Sequence, residues 1–341
     1  MIDLRSDTIT RPTQEMRTVI ANAEVGDDVF GEDPTVNELE EKLANMFGKE
    51  SGLYCSSGTM ANQIAIKTHT SPGDQVICSW AAHVYNYEGG GMASNSGVTA
   101  KLIEGARGLF KASDLEQAIS PDDPHFPISR MVVIEDTSNK GGGAVWPRND
   151  IMEISRLCGE KGLNLHLDGA RVFNSLIATG TEYLEYGAYY DSMSICLSKG
   201  LGAPVGSVLL GPREFISKAR RARKSFGGGM RQAGIIAAAG LFALENCIDR
   251  LITDHDNAKL IESALRGNPL IKEILPVETN IILFSLTHEN MTQNVLDYLE
   301  NKGILALATG PKTIRFVLHK DIEEHEIQNV IELCRSFELA V

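Results

Sequence analysis

No C-x-x-C pair and no metal-ligand spacing occurs among the six cysteines, at positions 55, 78, 158, 196, 247 and 334. Scattered in this way they read as reduced core residues of a cytosolic protein, and no metal is expected. The opening Met1-Ile-Asp-Leu-Arg-Ser-Asp7 is charged from the start and has no apolar stretch, so no signal peptide is expected. Apolar runs of membrane length are missing too. The most apolar one, Gly234 to Leu244, is closed by Arg231 and Glu245 and reads as a buried helix. Basic charge is also in short supply: a net charge of −13 argues against a nucleic-acid or anionic-membrane partner. One local exception, Arg213 to Lys224, precedes Gly227-Gly-Gly-Met-Arg231 and points to solvent, a neighbouring subunit or a phosphate. Internal repeats and low-complexity linkers do not occur.

What is present is an ordinary globular composition, 43% hydrophobic over 341 residues, long enough for a large domain and a smaller one. Two segments stand out. Asn164-Leu-His-Leu-Asp-Gly-Ala-Arg171 reads as a buried strand that delivers Asp168 at its C-terminal end, and Ser194 to Gly200 delivers Lys199 in the same way. In an open α/β sheet ligands sit outside the carboxyl ends of the strands, so both side chains can face one crevice. An acid and a lysine there suit pyridoxal phosphate: the amine holds the cofactor and the carboxylate keeps its ring nitrogen protonated. Taken alone, the pair is better read as an ordinary strand-end turn and an ordinary loop, and the case rests on the other parts of the site.

The rest of the chain supplies further candidates. Asp3 to Pro12 has no helical period and reads as an extended arm that could lay Ser6 over a site. Asp27 to Pro34 is a polar turn, followed by a helix with Thr35 as the expected N-cap and Glu38 completing a capping box. Gly52 to Asn62 is a strand running into a helix, where Ser57, Gly58 and Thr59 can cradle an anion; a plain turn with a serine cap is the alternative. Strand 74–80 leads to His83, and a proline-punctuated loop, Pro121 to Pro127, carries His125. Strand 131–135, helix 151–161 and strand 205–210 continue the alternation that predicts a mostly parallel sheet. One long helical stretch, about 232–266, is expected to leave this unit. A strand (281–286), a helix (292–302), a strand (313–318) and a last helix follow. That last helix carries Ile327, Val330, Ile331, Cys334 and Phe337 on one face, with Asp321 as its expected N-cap.

Read together, these segments resemble a known family. Asp3-Leu-Arg-Ser-Asp-Thr8, Val25-Gly-Asp-Asp-Val-Phe-Gly-Glu-Asp-Pro34, Ser57-Gly-Thr59, His166-Leu-Asp-Gly-Ala-Arg171, Leu197-Ser-Lys-Gly200, Ala203-Pro-Val-Gly-Ser207 and Gly227-Gly-Gly-Met-Arg-Gln232 resemble the low-specificity L-threonine aldolases. The resemblance runs over nearly the whole chain. It implies an α/β, aspartate-aminotransferase-like fold (fold type I), with a large domain over 1–250, arm included, and a small C-terminal α/β domain over 251–341. It implies retro-aldol cleavage of L-threonine or L-allo-threonine to glycine and acetaldehyde, with pyridoxal 5'-phosphate bound. Lys199 would hold the cofactor, Asp168 its ring nitrogen, His83 would stack on the ring, and Gly58 and Thr59 would bind phosphate. Ser6, Arg171 and Arg315 would anchor the substrate carboxylate. His125, Lys224 and Arg231 would reach a neighbouring subunit's site in a cytoplasmic homotetramer, His125 or a water held by His83 acting as base at the β-hydroxyl. The chain departs from the family at Glu135-Asp-Thr-Ser138, where members often read Glu-Asn-Thr-His. Two other functions stay open: β-elimination or racemisation on the same scaffold, and cofactor-type binding without catalysis.

Overall fold

The structure is a computed structural model that describes residues 1–336; Phe337 of the expected apolar face lies outside the described residues. Its larger unit is built on a seven-stranded sheet in the order Ser51–Cys55, Ser207–Gly211, Ser192–Cys196, Asn164–Gly169, Ser129–Glu135, Gln75–Ser79, Thr99–Ile103. The last five are mutually parallel, as the alternation of strands and helices implies, whereas Ser207–Gly211 runs antiparallel to both of its neighbours. Residues 197–206 are too few for a crossover helix, so the chain turns straight back after Cys196. Gly206 makes that return possible. Its φ is +117°, and a Cβ there would lie 2.5 Å from the Tyr54 hydroxyl.

The central strands are buried on both faces, which explains their continuous apolar runs such as Val76-Ile-Cys78 and Met131-Val-Val-Ile134. One face packs Leu43, Phe47, Trp146, Leu167 and Ile195, and the other Leu53, Ile64, Val76, Val133 and Leu209. Several local expectations are corrected. The helix after the polar turn spans Pro34–Met46 and is capped by Asp33, whose Oδ1 accepts from the Val36 N–H at 3.1 Å. Thr35 lies inside it, because proline fits the first helical position, where its missing N–H costs nothing. The long helix is two, Gly234–Asn246 and Leu251–Leu265. Asp321 does not cap the last helix, Glu324–Ser336; its carboxylate accepts from the Arg11 N–H at 2.8 Å and so ties down the arm. The basic run is a helix, Arg213–Ser225, in which Arg223 is buried against Asp28 and Arg220 pairs with Glu40, so part of it faces the protein interior.

The smaller unit has a four-stranded antiparallel sheet ordered Leu307–Gly310, Thr313–Val317, Ile281–Leu286, Ile271–Ile274. Its apolar core runs from Ala258 to Cys334 and takes in Ile2 and Leu4 from the opening arm, expected within 1–250. The arm is held there by a parallel pairing of Ile2–Asp3 with Ile304–Leu305, which satisfies its backbone groups.

Candidate active site

Four parallel strands and one helix start converge on a cavity of about 270 Å³ lined by Ser57, Gly58, Thr59, His83, Asp168 and Lys199, among others. The sheet explains the convergence: each of these residues lies at or just beyond the carboxyl end of its strand. Ser57 caps the helix Gly58–His69, its hydroxyl accepting from the Met60 N–H at 3.1 Å. The N–H groups of the first turn have no intrahelical partner, so this end attracts an anion.

Asp168 is buried, and its Oδ2 has no hydrogen-bond partner among the described residues. Burial raises its pKa, with the neighbouring His83 and Lys199 charges pulling the other way. A buried carboxylate oxygen left without a donor in a cavity shared with a lysine fits the protonated ring nitrogen of pyridoxal phosphate. His83 Nδ1 lies 3.0 Å from Glu88 Oε1, and the His83 backbone N–H donates to Glu135 at 2.8 Å. Burial pushes the imidazole down, but the bond to Glu88 and the charge of Asp168 outweigh it and hold the pKa above its ordinary value. His83, Glu88 and Asp168 offer atoms within 4.8 Å of one another, as a metal site would. Glu88, however, is already taken by amide donors from Asn62 and Gln63 at 3.0 and 2.6 Å.

Arg171 does not line the cavity. Its Nε and Nη2 donate to the two oxygens of Asp7, both at 2.7 Å, in a pair almost closed to solvent. Asn280 of the smaller unit donates to the same Asp7 at 3.3 Å. Ser6 caps the short turn Asp7–Ile9, and its neighbour Thr8, rather than Ser6, lines the cavity. Arg315 opens on a second cavity, with Nη1 donating to Asn139 at 2.8 Å and Nη2 to the Arg5 carbonyl at 3.0 Å. His125, Lys224 and Arg231 stand apart from both cavities. The His125 side chain is 87% exposed beside Asp123, and Arg231 donates to Asp27 at 2.8 Å.

Sequence reasoning missed Thr8, Asn62, Glu88 and Glu135. Asn62 had a usable signal, one helical turn from Gly58 in the same motif; Glu88 had none. At the divergent segment, Ser138 fits tightly: a Cβ placed on Gly108 or Gly141 would lie 2.7 or 2.8 Å from its hydroxyl. Asp136 of the same segment is buried and accepts from Ser175 at 2.6 Å and from the Tyr186 hydroxyl. Burial pushes its pKa up to about 7.

The sheet, the strand-end acid and the lysine in the reversing loop define an α/β enzyme of the aspartate-aminotransferase-like class. The chain belongs to the beta-eliminating lyase family, whose model matches residues 3–289. It is 40% identical to the low specificity L-threonine aldolase of Escherichia coli (strain K12), over 99% of this chain and 99% of that one. It is likewise 40% identical to a probable low-specificity L-threonine aldolase 2 of Arabidopsis thaliana, over 97% and 95% of the two chains. Among solved structures it is similar to a threonine aldolase of Leishmania major, with TM-score 0.84 and 20% identity over 98% and 99% of the chains. That last likeness carries the fold.

Proposed function

We propose that the chain is a pyridoxal-phosphate-dependent lyase that cleaves L-threonine and L-allo-threonine to glycine and acetaldehyde. The observation that carries this reading is the unpartnered, buried Oδ2 of Asp168 in one cavity with Lys199 and the Gly58 helix start. Full-length relatives named as threonine aldolases support the choice of reaction. When bound, pyridoxal phosphate supplies a conjugated ring that accepts the electron pair of the breaking Cα–Cβ bond.

The chain's own residues do the rest. Lys199 anchors the cofactor, Ser57, Gly58 and Thr59 hold its phosphate, His83 covers the ring, and Asp168 keeps the ring nitrogen protonated. Arg315 and Ser6 hold the substrate carboxylate. Arg171, with two nitrogens committed to Asp7, fixes the arm that carries Ser6 and Thr8 rather than facing the cavity. A fork of N–H donors matches a carboxylate in direction as well as charge. The β-hydroxyl proton goes to His125 of a neighbouring subunit or to a water on His83. Lys224 and Arg231 complete the phosphate site across that interface in a homotetramer. Six free, buried cysteines support a cytoplasmic location, and among the described residues no helix is long and apolar enough to cross a membrane.

The test is a visible spectrum of the purified protein, followed by an acetaldehyde assay with each threonine diastereomer. Cofactor absorbance with acetaldehyde release is expected; a colourless protein, or release of pyruvate or ammonia instead, overturns the reading. For the assembly, inactive Lys199→Ala and inactive Arg231→Ala subunits are mixed. Recovered activity is expected, and none in hybrids shown to have exchanged subunits would place each site within one chain.

A further inference from the structure

The second cavity, also about 270 Å³, is walled by Trp80, Tyr87, Lys140, Leu283, Thr309 and Arg315, with other residues completing it. It lies next to the first. The Tyr87 ring is 5.6 Å from the His83 ring on one side, and the Lys140 ammonium is 5.3 Å from the Tyr87 ring on the other. That ammonium also sits 5.4 Å from the Trp80 ring and, among the described residues, hydrogen-bonds only the neutral Asn86 amide oxygen, at 3.3 Å. No carboxylate pairs with Lys140 or Arg315 among the described residues, although carboxylates outnumber cations in this chain. Arg315 bonds only to neutral oxygens, and its Nε is buried without a partner. Both cations face this cavity with no carboxylate bonded to either, so an anion entering it meets a free charge-assisted donor at each.

The first anion is the substrate α-carboxylate on Arg315, as proposed above. Threonine has only a methyl group beyond its β-carbon, so Lys140 stays without a partner when threonine binds. We propose that Lys140, held between Trp80 and Tyr87, is a subsite for a second carboxylate. The chain then takes β-hydroxy-α-amino acids whose β-substituent ends in a carboxylate, as well as threonine. This extension rests on the threonine-cleaving reading. For 3-hydroxyaspartate the bookkeeping closes without a co-reactant. The β-hydroxyl loses its proton, the Cα–Cβ bond breaks, the former carbinol carbon leaves as the aldehyde of glyoxylate, and a proton returns to Cα to give glycine. The homologue one methylene longer, 3-hydroxyglutamate, gives 3-oxopropanoate in the same way.

The experiment compares kcat/KM for threonine, 3-hydroxyaspartate and 3-hydroxyglutamate in the wild type, Lys140→Met and Lys140→Arg holoenzymes. In Lys140→Met, the ratio of a carboxylated substrate to threonine should fall by about tenfold or more, the worth of one charge-assisted hydrogen bond. Threonine cleavage should persist, and Lys140→Arg should keep most of the ratio. A second readout needs no turnover. Of the two tryptophans, Trp146 is buried and Trp80 is exposed. Glutarate, a dicarboxylate, should therefore change the intrinsic fluorescence saturably in the wild type and far more weakly in Lys140→Met, whereas butyrate should not. Threonine cleavage with an unchanged ratio in Lys140→Met overturns the subsite alone. Absence of threonine cleavage overturns the underlying reading, while the glutarate titration still decides whether Lys140 binds a second carboxylate.

Discussion

The two halves of the site are made differently. The half proposed to hold the cofactor stands on strands of one sheet, so Asp168, Lys199 and the Gly58 turn are positioned by backbone ladders that are themselves buried. The carboxylate half is assembled from three distant segments: the arm with Asp7, the strand end with Arg171, and the smaller unit with Asn280 and Arg315. A substitution in the first half should remove a chemical group from an intact frame. In the second half it should loosen the frame as well.

The largest expected effect lies in the first half. Lys199→Ala should abolish both threonine turnover and the visible absorbance of bound cofactor, with circular dichroism unchanged; near-wild-type cleavage would sink the assignment. Asp168→Asn comes next. It should keep cofactor bound yet lose about a hundredfold or more in kcat, the scale set by loss of one electrostatic partner in a closed site. Full activity would mean that another group pairs with the ring.

The second half is probed by Asp7→Asn, which leaves Arg171 buried without its counter-charge. A loss of about 3 kcal/mol is expected from denaturant unfolding, together with a raised KM; stability within experimental error of the wild type would remove Asp7 from the frame. The pH dependence has a definite sign. Burial raises Asp7, but the Arg171 charge and hydrogen bonds outweigh it and hold the carboxylate below its ordinary pKa. Its contribution is therefore present above the ordinary carboxylate range and lost as pH falls through the lowered value.

A purely pH-dependent effect is expected at the seam between the halves. The Asp136 N–H donates to the Asp168 carbonyl at 3.0 Å, and the Asp136 carbonyl accepts from the Arg171 N–H at 3.3 Å. Because burial raises its carboxyl to about 7, the folded chain keeps a proton that the unfolded chain releases near its ordinary value. Stability is thus lost as pH climbs from about 4 to about 7. Asp136→Asn should flatten that slope, so that the stabilities of the two proteins diverge progressively between about pH 4 and about pH 7. Identical slopes in the two proteins would rule out a protonated Asp136.

This contrast also explains what was legible in the sequence. Strand ends announce themselves through apolar runs that stop at a glycine or a polar residue, so Asp168 and Lys199 could be read as strand-end candidates for one crevice, with the wider motifs needed to choose that over an ordinary turn and loop. The partnership of Asp7 with Arg171 leaves no such trace, because it joins residues that only the folded arm brings together. The break between Asn246 and Leu251 was equally silent, having neither glycine nor proline. Leu244, Cys247, Ile248 and Leu251 on both sides of the break pack in the larger core, and the second helix then carries the chain to Ile261 in the smaller one. At Pro34 the local signal was present, and the proline itself marked Asp33 as the cap.

The parallel pairing of Ile2–Asp3 with Ile304–Leu305 has a mechanical corollary. It welds the arm to the smaller unit, so Asp7 travels with that unit while its partner Arg171 belongs to the sheet. Any swing of the smaller unit that separates the two would strand opposite charges in a dry interior. The same separation would also break the pairing of Arg107 with Glu278 and the bond from the Thr279 hydroxyl to the Gly143 carbonyl, so the buried pair is one of several ties that hold the arm and the smaller unit against the sheet.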